Sequence, residues 1–415
     1  MAIIQDVQAV PVPGGFFFDD QRAIRDGAEK EGFAYVSPPK TEGFRAVREP
    51  AEAVSVIIEL DDGTTATGDC AAVQYIGAGG RDNIFRAKKY AKAIESEIAD
   101  PLTGRSATSF ASNIEFVEEE IIEQMDSDKK HRAISYGISQ ALLEASALAR
   151  RRTKAEILSE TYDMTPASEP IPVYGQSGNS RYRSAEKMII KGIDVLPHGL
   201  FNNIEKIGHD GEKLVEYLEW LSDRVEELGR DNYCPRFHVD VYGTIGELFG
   251  GPYDTSDIID YFAELEHAAA PYALQVEGPI DKESRADQIS AMTELRDALA
   301  EDGVAVDIVA DEWCNTLDDI RQFIDKRAAD VVQIKTPDLG GIQNCIKAVQ
   351  YCDGTETHAY LGGSCAETDN TARTCAHVAI ATQPIQVLAK PGMGVDEGYM
   401  IVKNEMERAL AQMQN

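Results

Sequence analysis

Three acidic residues stand at the ends of three successive predicted strands. Asp240, Glu277 and Asp311 each end or interrupt an apolar run, and they are separated by 37 and then 34 residues, each about one strand–helix unit. Carboxylates that converge repel one another and require a cation, and ligation by oxygen alone suits Mg²⁺. The alternative for each residue is an ordinary strand-end acid that faces solvent or pairs with arginine.

A lysine follows at the same kind of position. Lys335 lies 24 residues after Asp311, and Gln333, two residues earlier, is expected to point to the same side of the strand. Burial beside a divalent cation is expected to lower the pKa of Lys335, as a general base at neutral pH requires. Two alternatives stay open: a lysine that only neutralises the carboxylates, and a Schiff-base lysine, although no phosphate-cradling loop supports pyridoxal phosphate.

Other polar residues fall at the same predicted end. Gln176, Ser364 and Cys365 follow predicted strands, and His198 lies just past the predicted strand 188–195. A lone histidine is more often structural than catalytic, so both interpretations of His198 stay open. Its position at this end favours a role in the site.

Eight short β-branched runs, most of them separated by amphipathic helices, predict the element that positions these side chains. Over about 230 residues this alternation favours a TIM-type (β/α)₈ barrel, which typically needs ~250 residues and carries its active site at the C-terminal ends of the strands. The predicted strands are 171–175, 188–195, 237–242, 273–277, 306–310, 331–335, 358–361 and 385–389.

The chain before the barrel has an α+β pattern. Three prolines within 165–172 cannot lie inside a helix and indicate a boundary. We therefore predict an N-terminal α+β capping domain, 1–165, and a barrel domain with a C-terminal helix, 166–415. Its predicted strands are 2–10 and 54–60, and its predicted helices are 83–98, 112–125 and 132–160.

Composition excludes several partners. With 71 acidic against 40 basic residues, the net charge of −31 repels phosphate backbones, so no nucleic acid is expected. No apolar run reaches the length of about 18 residues that a membrane span needs. The seven cysteines form no C-x-x-C pair, and no signal-peptide pattern is present, which together predict a cytoplasmic protein. Both an ordinary acidic enzyme and a halophilic one fit the charge.

Nine segments carry a resemblance that spans almost the whole chain. A metal held by three strand-end carboxylates with a lysine base is the arrangement of the enolase superfamily, whose general chemistry is well known. The segments resemble those of the methylaspartate ammonia-lyase family within it. They are FFFDDQRAIRDGA (16–28), GDCAAVQYIGAGGRD (68–82), QSGNSRY (176–182), DVLPH (194–198), HVDVYGTIG (238–246), VEGP (276–279), ADEWCNT (310–316), QIKTPDLGG (333–341) and VLAKPGMGVDEG (387–398).

The resemblance implies an enolase-like barrel that reversibly eliminates ammonia from (2S,3S)-3-methylaspartate to give mesaconate. Asp240, Glu277 and Asp311 would bind Mg²⁺, and Lys335 would remove the C3 proton through an ene-diolate. The positive charge of Mg²⁺ would stand where negative charge develops. The family further implies a homodimer and stimulation by K⁺.

The resemblance also implies substrate contacts. His198 and Gln333 would contact the carboxylate next to C3. The other carboxylate would be held by Gln176, Ser364 and Cys365. Gln74 of the capping domain would lie near the amine, and Leu388 would pack against the methyl group. Ser364 replaces a threonine of the family, which keeps the hydroxyl and removes a methyl, so the chemistry should persist while the pocket packing changes.

Two other functions remain open. One is a different enolase-superfamily lyase or racemase, such as an acid-sugar dehydratase, which would lose water or epimerise its substrate rather than release ammonia. The other is a non-catalytic barrel that binds a dicarboxylate, although an inactive site has no need of three clustered carboxylates beside a lysine.

Overall fold

A computed structural model describes residues 2–249 and 255–414. Residues 2–165, which precede the barrel, are called the cap. Its strands are β1 (Ile4–Asp19), β2 (Lys30–Glu31), β3 (Ala34–Tyr35), β4 (Arg48–Leu60) and β5 (Thr65–Cys70). Its helices are α1 (Gln21–Arg25), α2 (Ala87–Glu97), α3 (Ala99–Leu102), α4 (Phe110–Phe116), α5 (Arg132–Arg150) and α6 (Lys154–Thr161), with a π-helical turn at Val117–Ile121 and a 3-10 turn at Ile122–Gln124.

The core of the cap is an antiparallel sheet packed on one helix. The sheet has the order β1–β4–β5, and the predicted strands 2–10 and 54–60 are parts of the longer β1 and β4. Helix α5 packs on β5, where Gly68 faces Gly137. A Cβ atom on Gly68 would overlap the backbone oxygen of Gly137, so this close packing requires glycine.

The predicted helix 132–160 is wrong in one respect, because two helices cover it. Helix α5 ends at Arg150, because the next residue, Arg151, has a left-handed φ of 54°. Thr153 and Glu156 then form a reciprocal capping box that starts α6. The apolar periodicity continues across this break, so periodicity alone did not show it.

Eight parallel strands within the described part of the chain close into a barrel, in the order β10–β11–β12–β13–β6–β7–β8–β9. These strands are β6 (Val173–Gly178), β7 (Val195–Gly199), β8 (Arg236–Asp240), β9 (Leu274–Glu277), β10 (Val306–Ala310), β11 (Val331–Ile334), β12 (His358–Leu361) and β13 (Gln386–Leu388). The helices are α7 (Arg181–Lys191), α8 (Ile204–Ile207), α9 (Glu212–Leu228), α10 (Thr244–Leu248), α11 (Thr255–Ala269), α12 (Arg285–Asp302), α13 (Leu317–Asp325), α14 (Ile342–Cys352), α15 (Asp369–Thr382) and α16 (Val395–Met413). The TIM-barrel prediction is confirmed.

The predicted second barrel strand, 188–195, is wrong. The first half of that run is the end of α7, whose buried residues Ala185, Met188 and Ile189 follow the helical spacing. Gly192, with a φ of 68°, ends the helix, and the strand begins only at Val195. His198 therefore lies inside β7 rather than after it.

Neither membrane helices nor disulfides are found in the described residues. No helix there is both long and apolar enough to cross a bilayer. All seven cysteines are free thiols, and Cys234 is the exposed one.

A buried ion pair of the barrel, Lys390 with Glu367, is hydrogen-bonded to the cap through Tyr136. Lys390 Nζ donates to Glu367 Oε1 (2.8 Å), Thr336 Oγ1 (2.9 Å) and the Gly362 carbonyl (3.0 Å). The Tyr136 hydroxyl of α5 donates to Glu367 Oε2 (2.6 Å). Because both charged side chains are 0% exposed, each depends on the other for its charge to be tolerated.

Replacing Lys390 with methionine is expected to lower the free energy of unfolding by about 3–5 kcal/mol, because Glu367 is left as an uncompensated buried charge. Denaturant unfolding measures the change. The control is Lys403→Met, which removes a partly exposed pair with Glu407 and should cost less than about 1 kcal/mol. Equal losses in the two variants would contradict this prediction.

Candidate active site

The three predicted metal ligands lie on adjacent strands. Asp240 ends β8, Glu277 ends β9, and Asp311 directly follows β10. Asp240 and Glu277 are aligned in register, and all three carboxylates are buried. The barrel thus brings three negative groups to one side of its mouth.

The electrostatics of this cluster favour a cation. Burial raises the pKa of Asp240 well above its usual value, and Asp311 and Glu312 raise it further. Burial does the same to Glu277, with Asp240 and Asp311 adding to it. The pKa of Asp311 is lowered instead, because Lys335 and other nearby cations outweigh the effect of burial. A divalent cation would offset both the burial and the mutual repulsion that raise the pKa values of Asp240 and Glu277.

The donor set fits such an ion. His198, Asp240 and Glu277 each offer a ligand atom, and these atoms lie within 4.8 Å of one another. Glu277 Oε2 is buried 2.9 Å from His238 Nε2, and Asp311 Oδ1 is buried 2.5 Å from Lys335 Nζ. Asp311 is outside this 4.8 Å group and contacts Lys335. Carboxylate oxygens are the ligands that Mg²⁺ prefers.

Lys335 contacts the carboxylate cluster directly. Its Nζ lies 2.5 Å from Asp311 Oδ1 and 2.8 Å from Oδ2. Burial lowers the pKa of Lys335, but Asp311 raises it more, so the net shift is upward. The prediction of a lowered pKa concerns a lysine beside a bound divalent cation, and it stays a prediction. Gln333 lines the same cavity, as predicted, and donates to Glu277.

His198 faces Lys335 across the mouth. Strands β7 and β11 are four positions apart in either direction around the closed barrel of eight, so they lie on opposite sides. His198 Nε2 is 3.4 Å from Asp240 Oδ2. Burial, followed by the charge of Lys335, lowers its pKa to about 4, so the imidazole is neutral at pH 7.

The predicted site residues converge on one cavity, with Glu277 as the exception. Glu277 is completely buried beside the cavity, in contact with Gln333. The predicted residues that line the cavity are Gln74, Gln176, His198, Asp240, Asp311, Gln333, Lys335, Ser364, Cys365 and Leu388.

The cap and the barrel meet at Ser364. Its Oγ accepts hydrogen bonds from the backbone N–H groups of Gln74 (2.9 Å) and Ala366 (3.2 Å). Both acceptor sites of the hydroxyl are then used, which leaves its proton to donate. Cys365 Sγ lies 3.0 Å from Gln74 Oε1, and Gln74 Nε2 donates to Asp19 Oδ2 (2.8 Å). The side chain of Gln74 is therefore oriented from both sides.

Several residues at this site were missed from the sequence. Glu312 is buried beside Asp311, and burial followed by that neighbour raises its pKa to about 7. The signals were the segments ADEWCNT for Glu312 and GDCAAVQYIGAGGRD for three of the others, whereas a strand tyrosine such as Tyr360 looks like an ordinary core residue. The missed residues that line the cavity are Val73, Tyr75, Arg81, Tyr242, Tyr360, Gly363 and Met393.

This fold and site define an enzyme of the enolase type, in which an α+β cap covers a barrel whose strand ends carry carboxylates and a lysine. Family models for the methylaspartate ammonia-lyase N-terminus and C-terminus match residues 2–163 and 165–415. The methylaspartate ammonia-lyase of Haloarcula marismortui is 60% identical over 408 residues, 98% of this chain and 97% of that protein.

Two solved structures show the same likeness. The Mg complex of β-methylaspartase from Clostridium tetanomorphum has a TM-score of 0.93 and 49% identity, covering 99% of each chain. The Citrobacter amalonaticus methylaspartate ammonia-lyase containing (2S,3S)-3-methylaspartic acid has a TM-score of 0.95 and 46% identity, covering 100% of each chain. The chain belongs to the methylaspartate ammonia-lyase family and is a carbon–nitrogen lyase.

Proposed function

We propose that this protein reversibly eliminates ammonia from (2S,3S)-3-methylaspartate to give mesaconate. The observation that carries the proposal is the placement of Lys335 and His198 on opposite sides of a cavity bordered by buried carboxylates. The substrate in the Citrobacter amalonaticus structure and the ion in the Clostridium tetanomorphum structure support the substrate and the metal.

Asp240, Glu277 and Asp311 are the proposed Mg²⁺ ligands. When bound, Mg²⁺ supplies positive charge beside the substrate carboxylate in which negative charge develops. The chain itself contributes the buried surroundings of these groups, which strengthen every electrostatic interaction in the cavity.

Lys335 is the proposed base. Its Nζ takes the proton from C3, the bond between C2 and nitrogen breaks, a C2–C3 double bond forms, and ammonia leaves. Burial lowers the pKa of Lys335 and favours the neutral amine, whereas the charge of Asp311, followed by those of Glu312 and Asp338, raises the pKa. When Asp311 binds Mg²⁺, its charge raises the pKa of Lys335 less. The amine of Lys335 can then be neutral and accept a proton.

The remaining contacts orient the substrate. His198 and Gln333 are proposed to hold the carboxylate next to C3. The second carboxylate would lie against Gln176, Ser364 and Cys365. Gln74 of the cap would contact the amine, and Leu388 would pack against the methyl group. These side chains border one cavity, which supports their assignment to a single small substrate.

Other parts of the proposal rest on the resemblance and on composition. A homodimer, stimulation by K⁺, a cytoplasmic location and division into domains at 165/166 are retained as predictions. Halophily also stays a prediction, supported by the net charge of −31.

The direct test mixes purified protein, Mg²⁺ and 3-methylaspartate and follows the ultraviolet absorbance of an unsaturated diacid together with released ammonia. Equal amounts of the two products are expected. Epimerised 3-methylaspartate without released ammonia would favour a racemase, water loss from an acid sugar without reaction of 3-methylaspartate would favour a dehydratase, and binding without turnover would favour a non-catalytic barrel.

A further inference from the structure

The cap reaches the lysine side of the cavity through one arginine. Arg81 lies in the segment between β5 and α2, its side chain is only 3% exposed, and it lines the cavity. It lies beside the two residues to which the proposed function gives the main roles, the base Lys335 and the ligand Asp311. Neither the family resemblance nor the spacing argument gave it a task.

The segment that carries Arg81 is built to hold it in place. Its ends are closed by a hydrogen bond from Gly77 N to the Asp82 carbonyl (2.9 Å). Gly77 and Gly79 have φ values of 79° and 55°, the left-handed region that favours glycine. Asn315, four residues after Asp311, donates its side-chain amide to the Gly79 carbonyl, so the segment is attached to the barrel as well as to the cap.

Arg81 holds the turn that follows β11. Its Nε donates to Asp338 Oδ2 (2.8 Å), and Asp338 N donates to the carbonyl of Lys335 (2.9 Å). Through these two bonds a cap residue fixes the backbone from which the Lys335 side chain projects. A loss of this anchor would let the turn shift, and a misplacement of about 1 Å can cost about 10²-fold in rate.

The other end of the guanidinium points at the carboxylate cluster. Arg81 Nη2 lies 3.8 Å from Asp311 Oδ1. Arg81 Nη2 is buried and lacks a hydrogen-bond partner in the described part of the chain, and Asp311 Oδ1 is contacted from its other side by Lys335 Nζ at 2.5 Å. A fixed positive charge this close to Asp311 opposes the binding of a cation there, since like charges repel most strongly where water is excluded.

We propose that Arg81 is a positioning residue with two separable effects: its bond to Asp338 aims Lys335 at the substrate, and its charge weakens the hold of Asp311 on Mg²⁺. The inference rests on the proposed function, in which Lys335 is the base and Asp311 a ligand. Through Arg81 the cap would take part in the proton-removal step, in addition to the proposed contact of Gln74 with the amine.

The experiment compares Arg81→Met, Arg81→Lys and Asp338→Asn with the wild type. Arg81→Met is expected to lower kcat by about 10²-fold while its affinity for Mg²⁺, measured by titration calorimetry without substrate, rises. Arg81→Lys keeps the charge and loses the planar donor, so kcat should fall while Mg²⁺ affinity stays at the wild-type level. Asp338→Asn should lower kcat in the same way. With substrate deuterated at C3, the isotope effect on kcat should increase in all three variants.

The matched control is Arg86→Met. Arg86 is also a cap arginine with two carboxylate partners, Glu49 at 2.8 Å and Glu52 at 3.3 Å, and it does not line the cavity. Its kcat and Mg²⁺ affinity should match the wild type. The inference is overturned if Arg81→Met binds Mg²⁺ more weakly, or if its kcat is unchanged. A wild-type enzyme that releases no ammonia overturns the proposed function instead, and the Mg²⁺ titration still decides whether the charge of Arg81 acts on Asp311.

Discussion

Chelation of divalent cations is expected to abolish turnover, and added Mg²⁺ to restore it. Asp240 and Glu277 are buried and repel each other and Asp311, which holds their pKa values well above the usual range. Asp311→Asn should therefore lose both Mg²⁺ affinity and activity, because it removes a charged ligand from the group. Calorimetric titration with Mg²⁺ and the rate of ammonia release measure the two losses independently.

The control for this prediction lies on β10, the strand that Asp311 directly follows. Asp307 is near the opposite, N-terminal end of β10, where Gln275 donates to it. Asp307→Asn should leave Mg²⁺ affinity and turnover at wild-type levels. Full activity in a thoroughly chelated sample, or equal losses in the Asp307 and Asp311 variants, would show that the carboxylates at the barrel mouth hold no essential metal.

The barrel could be predicted because its strands and helices differ in period and composition. The short predicted strands 306–310 and 358–361 coincide with β10 and β12. The error at 188–195 arose because a β-branched end of α7 runs into the start of β7 without a proline between them. Only Gly192 marks the break, and a single glycine is compatible with either element.

A site residue could be predicted only where its position at the end of a strand is enough to place it at the barrel mouth. Asp240 and Asp311 each end an apolar run, so their position in the sequence already places them at the mouth. The contact between Arg81 and Asp338 joins residues 257 positions apart, and no local pattern indicates which cap segment reaches which barrel turn. The pKa of Lys335 likewise depends on a distance to Asp311 that spacing does not contain.

The geometry also separates the roles of two candidate bases. Lys335 and His198 lie on opposite sides of the barrel mouth, and a base can remove only the proton that points to its own side. His198 is neutral at pH 7 because burial, and then the charge of Lys335, lowers its pKa to about 4. A neutral imidazole can orient a carboxylate and can also accept a proton. We therefore predict that Lys335 takes the C3 proton of the (2S,3S) substrate, and that His198 orients the carboxylate of that substrate and serves as base for the (2S,3R) diastereomer.

Lys335→Ala is expected to lower kcat for the (2S,3S) isomer by about 10²–10⁴-fold, the usual cost of losing a general base. His198→Ala should retain more of that reaction, because only an orienting contact is lost, and should lose the (2S,3R) reaction preferentially. The measurement is ammonia release from each isomer by each variant, with Lys326→Ala, an exposed lysine at the end of α13, as the control that keeps both activities. If both variants lost the two reactions in equal proportion, the two-sided assignment would fail, and His198 would act only as a structural or electrostatic partner of Asp240.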